Sequence, residues 1–206
     1  MIRLYRAPFS TNVERVALAL AHKGLEVESV VISYEDRTPV EEVSGQGLVP
    51  VIDDDGEVVA DSARILSYLE ERYPKPPLFP SDPARRAEAE IFIDWFNEVW
   101  KSAPNSIESE LESEQPAHDV IAAEGERMRE ALGLFERMLH GRDFLIGDRV
   151  SAADFAAFPF LKYARRRDSA DEEPFHRILE AHQRLGEGDH PRLAAWIDRV
   201  DELPRV

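Results

Sequence analysis

Val13, Val16, Ala17 and Leu20 recur at i, i+3, i+4 and i+7, which places them on one buried face of an α-helix. Before them "IRLY" is short and rich in β-formers. After them His22-Lys23-Gly24 supplies cationic side chains and a glycine where the helix should stop. "VESVVIS" then reads as a second strand buried on both faces, which completes a βαβ unit. "TPVEEVS" is a short helical or irregular connection. "VPVIDDDGEVVA" holds two β-rich runs around Asp-Asp-Asp-Gly, a hairpin signal because glycine admits positive φ in the turn. Beyond Asp61-Ser62, the apolar positions Ile65, Leu66 and Leu69 mark a helix that ends near Tyr73. The predicted order is β-α-β-(α)-β-β-α.

The pattern changes at "PKPPLFPSDP", which has five prolines in ten residues and sustains neither a helix nor a central strand. Every strong signal after it is helical. "AEAEIFIDWFNEVW" sets Phe92, Trp95, Phe96 and Val99 on one stripe, and "GERMREALGLFERML" repeats the spacing through Met128, Leu132, Phe135 and Leu139. "SIESELESEQPAHD" is acidic and weakly periodic, as in a solvated helix end or loop. The chain therefore divides into an α/β domain over residues 1–76, a proline-rich linker over 77–84 and an all-helical bundle over 85–206. No internal repeat or low-complexity tract interrupts this plan.

Composition narrows the chemistry. Charged residues make up 32% of the chain and the formal net charge is −16, so nucleic acid and anionic membrane surfaces are poor partners. The basic run "YARRRD" reads as a solvated helix end. There is no cysteine, hence no disulfide, no thiolate metal site and no thiol nucleophile in the protein itself. Any sulfur chemistry must come from a ligand. The six histidines show no metal-binding spacing, so no metal is expected. No segment has signal-peptide or membrane-span character, and a soluble cytoplasmic protein is expected.

Four short motifs fall at helix starts or at a strand entry. Ser10, Thr11 and Asn12 stand where unpaired N–H groups and the positive end of the helix dipole stabilise an anion. A plain N-cap, contributing about 1 kcal/mol, explains the same residues. Asp61-Ser62 precedes the helix at Ile65 and likewise fits an N-cap with an acid placed against the dipole. In Val49-Pro50 the proline lacks an N–H, so it belongs at a strand start or sheet edge. Ser151 and Asp154 have capping-box spacing, and this pair is assigned to folding of the helical domain.

The ordered set "FSTNVERVALAL", "GLVPVI", "DSARILSYLEERYP" and "FLIGDRVSAADFA" resembles the glutathione transferase superfamily. The resemblance implies a thioredoxin-like domain followed by an all-α domain, the GST fold. It also implies glutathione as co-substrate. Ser10 would be the catalytic hydroxyl that activates its thiol, with Thr11 and Asn12 beside it at the helix start; Tyr5, near the end of the first strand, is the rival hydroxyl. A cis bond before Pro50 would offer the backbone of Val49 to an extended tripeptide, as in a miniature strand addition. Asp61 and Ser62 would hold the γ-glutamyl end. Trp100 would line an apolar pocket for a hydrophobic electrophile. The superfamily also implies a two-fold homodimer, for which "YLEERYP" and the helix carrying Arg85, Arg86 and Glu90 are candidate surfaces.

One position departs from the pattern. Many members carry a polar or basic residue before the Val-Pro pair to hold the glycyl carboxylate, and this chain has Leu48. Gln46, His22 or Lys23 are the candidates to replace it. Leu48 keeps open another low-molecular-weight thiol, or a non-catalytic interaction module on the same fold. Thiol-dependent reduction or isomerisation is the other enzymatic reading.

Overall fold

The computed structural model describes every residue except Tyr34. It contains two compact units, one of Met1–Pro83 with Leu203–Val206 and one of Ala84–Glu202.

The first unit is built on a four-stranded sheet of β1 (Ile2–Arg6), β2 (Val27–Val31), β3 (Val51–Asp54) and β4 (Glu57–Ala60), in the order β2-β1-β3-β4. β1 pairs parallel with β2 through the crossover helix α1 (Thr11–His22) and antiparallel with β3. β3 and β4 form the expected hairpin. Asp55 and Gly56 both take positive φ there, as a tight two-residue turn requires. The second strand differs from expectation. β2 is an edge strand with Glu28, Ser29 and Val31 exposed, because among the described residues β1 is its only neighbour in the sheet. Its valines reflect β propensity on a half-covered edge and not burial on two faces.

Successive side chains alternate across β1. Leu4 is buried on one face, while Tyr5 packs on the other with Ile32, Val40 and Val51. Val40 comes from α2 (Thr38–Ser44). Helices α1 and α3 (Ser62–Arg72) pack together, and Val16, Leu20, Ile65 and Leu69 on them are fully buried. At the C-terminal ends of these helices, Lys23 Nζ donates to Glu70 Oε2 at 3.2 Å, to the Tyr73 carbonyl at 2.5 Å and to the Pro76 carbonyl at 2.9 Å. This buried ammonium is thus compensated by a carboxylate and two dipoles, as a charge removed from water must be.

The second unit contains α4 (Pro83–Trp95), α5 (Ser102–Glu112), α6 (His118–Met138), α7 (Ala152–Leu161), α8 (Pro174–Gln183) and α9 (Pro191–Asp201). Met128, Leu132, Phe135 and Leu139 are all buried, as the spacing predicts. The stripe on α4 changes course, because a π-helical turn, Phe96–Trp100, follows that helix. Lys101 N–H donates to the Phe96 carbonyl five residues back, which shifts the register. Val99 is turned out to solvent and Trp100 is turned in. α7 is buried along its whole length. At its start the Asp154 carboxylate accepts from Ser151 N–H at 2.9 Å, Ser151 Oγ at 3.0 Å, Leu145 N–H at 2.9 Å and Trp196 Nε1 at 2.8 Å. In the basic run, Arg165, Arg166 and Arg167 pair with Asp198, Asp201 and Glu180.

Candidate functional site

Ser10 is the N-cap of α1, and its Oγ accepts from Val13 N–H at 3.4 Å. That bond is long, and it uses only the acceptor side of the hydroxyl. The O–H remains to be donated, so the capping role and a role toward an anion are compatible. Thr11 is buried, and Asn12 is half-buried on the same first turn. Phe9, immediately before, takes a φ of 58°, a left-handed conformation rare outside glycine.

The second helix start holds more charge. Asp61 caps α3, its Oδ1 accepting from Ala63 N–H at 2.9 Å and Arg64 N–H at 3.0 Å. Its backbone, at φ 75° and ψ 127°, is strained for a residue with a side chain. Ser62 follows, buried, with its Oγ accepting from Arg15 Nη1 at 3.2 Å. Arg15 lies on α1 and is only 2% exposed. Burial pushes its guanidinium down to about 9, with the nearby Asp61 carboxylate opposing the fall. It therefore stays cationic at neutral pH. The Arg15–Ser62 bond ties the body of α1 to the start of α3, and a carboxylate, a hydroxyl and a cation gather there. In the sequence Arg15 stands with Glu14 inside the first helix of the motif "FSTNVERVALAL", with no partner evident. The available signal was a charged residue enclosed by the apolar run "VERVALAL".

The third motif is the entry to β3. The Val49–Pro50 bond is cis, as the resemblance implies. Val49 packs against the cluster of Tyr5, Ile32, Val40 and Val51, so Tyr5 is a core residue of that sheet face. Leu48 is 77% exposed. Gln46 supports the loop beneath it, donating to Ser44 Oγ and to the Leu48 carbonyl at 3.0 Å each and accepting from Leu48 N–H at 2.6 Å. His22 Nε2 lies 3.3 Å from the Pro77 carbonyl, and Lys23 makes the contacts given above. Both thus engage the proline-rich stretch after α3.

Trp100 belongs to the helical unit. Its ring stacks on Phe96 at 4.4 Å and meets Phe135 and Phe160 edge-on, leaving it 4% exposed. Its Nε1–H has no acceptor among the described residues. Among the described residues no cluster of His, Asp or Glu side chains could hold a metal ion, and no helix is long and apolar enough to cross a membrane.

Comparison with known proteins agrees with this layout. Residues 4–77 match the glutathione S-transferase N-terminal domain, and residues 119–199 match the glutathione S-transferase C-terminal domain. Maleylacetoacetate isomerase of Pseudomonas aeruginosa is 33% identical over 177 residues, spanning 80% of this chain and 82% of that protein. The chain belongs to the glutathione S-transferase superfamily. Another similar protein is FtsZ-localized protein A of Caulobacter vibrioides, 31% identical over 77% of this chain and 75% of that one. A glutathione S-transferase structure from Rhodospirillum rubrum superposes with a TM-score of 0.75 at 25% identity, covering 98% of this chain and 88% of that one. The thioredoxin-like plus helical architecture is therefore that of glutathione transferases.

Proposed function

We propose that this chain is a glutathione transferase that binds glutathione on its first unit and favours the thiolate for attack on a hydrophobic electrophile. Glutathione supplies the sulfur nucleophile that a chain without cysteine lacks. The observation that carries this reading is the Arg15–Ser62 bond, which ties the body of α1 to the start of α3, so that the polar groups at the two helix starts suit the two functional ends of one ligand. Ser10, with Thr11 and Asn12, provides a hydroxyl and a dipole end for a sulfur anion. Asp61 and Ser62 orient the γ-glutamyl end, and Val49 pairs its backbone with the extended peptide. Orientation of this kind converts an encounter into reaction within a prepared complex. Trp100, buried on Phe96 between Phe135 and Phe160, acts in the core of the helical unit and not as a wall for the electrophile. The protein acts in the cytoplasm as a homodimer, supported by the apolar groove of about 610 Å³ on the helical unit, where Ile91 is 68% exposed beside Phe92, Trp95 and Leu134.

Immobilised glutathione tests the reading: retention with elution by free glutathione is expected, and passage through the column would refute it. Ser62→Ala should raise KM for glutathione with kcat little changed, because binding lost equally from ground and transition states has that signature. Isomerisation with the same thiol is the nearest variant, in line with the isomerase relative. Exposed Leu48, apolar beside the proposed peptide site, favours a second reading as a non-catalytic interaction module. That reading requires no retention and no thiol-dependent turnover.

A further inference from the structure

Glu14 stands in the first turn of α1, its N–H donating to the Ser10 carbonyl at 3.0 Å. A carboxylate here favours the bare helix, since it meets the positive end of the dipole. For a sulfur anion at the same end it is a like charge, and a like charge opposes ionisation. The structure supplies a counter-charge from the far end of the sequence. Arg205 donates to Glu14 Oε1 from Nη2 at 3.0 Å and from Nε at 3.3 Å. Both side chains are largely buried. The segment Leu203–Val206 is held there by one further bond, Arg6 Nη1 to the Val206 carbonyl at 2.7 Å, and it is braced internally by Arg205 Nη1 to the Leu203 carbonyl at 2.6 Å. These four residues thereby belong to the first compact unit. The charged groups around this helix start are Arg6 from β1, Glu14 and Arg15 from α1, Asp61 before α3, and Arg205.

We infer that Arg205 is a positioning residue for thiol activation: it neutralises Glu14 so that the start of α1 keeps its positive potential for a bound sulfur anion. The inference rests on the proposed role of Ser10 and α1. Without Arg205 the Glu14 carboxylate, in the first turn of the same helix, opposes the positive end on which the thiolate depends. A unit charge in that turn, seen through a partly solvated medium, moves a neighbouring pKa by about 0.5–1 unit.

The test is an ultraviolet titration of the thiolate of glutathione bound at saturation to the wild type and to charge variants, each checked for folding by circular dichroism. Arg205→Gln should raise the bound thiol's pKa by about 0.5–1 unit, and Arg205→Lys should stay near the wild type. Glu14→Gln should lower it, because the Arg205 cation is then unopposed, and adding Arg205→Gln to Glu14→Gln should return it near the wild type. A merely structural tether would lower the melting temperature without that cancellation. An unmoved pKa in Arg205→Gln, a double variant that stays away from the wild-type value, or no effect of Glu14→Gln would overturn the inference. Wild type that binds glutathione with a normally ionising thiol would instead overturn the proposed function itself, and the role of Arg205 with it.

Discussion

Ser10 carries the largest share of the chemical argument, and its two roles can be separated. As an N-cap it contributes about 1 kcal/mol to stability; as a preorganised donor its loss costs roughly 10²-fold in turnover. Ser10→Ala should therefore fold, melt slightly lower and lose about two orders of magnitude in kcat/KM. Tyr5→Phe should keep activity, because Tyr5 is packed among Ile32, Val40 and Val51. The reverse pattern in steady-state kinetics would make Tyr5 the activating hydroxyl. Ser10, Asp61 and Ser62 were legible because caps must stand at helix starts. Arg15 was not, because only the three-dimensional approach of α1 to α3 gives its guanidinium a partner on another element.

At the scale of elements, pattern failed where local geometry departs from regular helix or sheet. The π-helical turn moves Val99 to the surface and Trp100 inward, a shift that a 3.6-residue period cannot anticipate. Strand order decides exposure in the same way, since nothing within "VESVV" says whether it lies at the edge. The Ser151-x-x-Asp154 motif was legible, yet its reach to Leu145 and Trp196 was not. Asp154→Ala strands three N–H donors, each costing about 1–3 kcal/mol when buried and unpaired, so a loss of at least about 3 kcal/mol is expected in thermal or urea unfolding. A loss below about 1 kcal/mol would contradict the buried hub. The hairpin offers a pH test. Tyr68 and Tyr73 both donate to Asp54 Oδ2, at 2.8 and 2.7 Å. Burial first, and the Asp54 carboxylate second, push the Tyr68 phenol up to about 12. A raised folded-state pKa contributes stability that is fully present below the ordinary phenol value and is lost as pH rises through about 12. Spectrophotometric titration should show a late-titrating tyrosine, and Asp54→Ala should bring it partway back. No late component in the wild type would remove this clamp from the account.

At the scale of the molecule, charge and apolar surface oppose each other. A net charge of −16 per chain resists association at low salt, whereas screening beyond about 10 Å at 0.1 M relieves much of that repulsion. Light scattering should find a dimer near about 0.15 M salt and weaker association at low ionic strength. Ile91→Asp, placing a charge in the exposed apolar groove, should favour monomer; a 23.4 kDa species in the wild type at moderate salt would refute the dimer. The two-domain plan was legible because the proline-rich stretch separates two hydrophobic periods, and the family followed from four ordered motifs. The packing of Leu203–Val206 with the first unit was not, because only contacts between residues about as far apart as the chain allows define it. The central claim is that the start of α1 turns a bound thiol into a thiolate. Its most direct test is the pH titration of glutathione bound to wild type and to Ser10→Ala. The account expects the wild-type thiol to ionise at least about one unit below free glutathione, and Ser10→Ala to return most of that shift. Identical titration in both proteins, or no depression in the wild type, would contradict it.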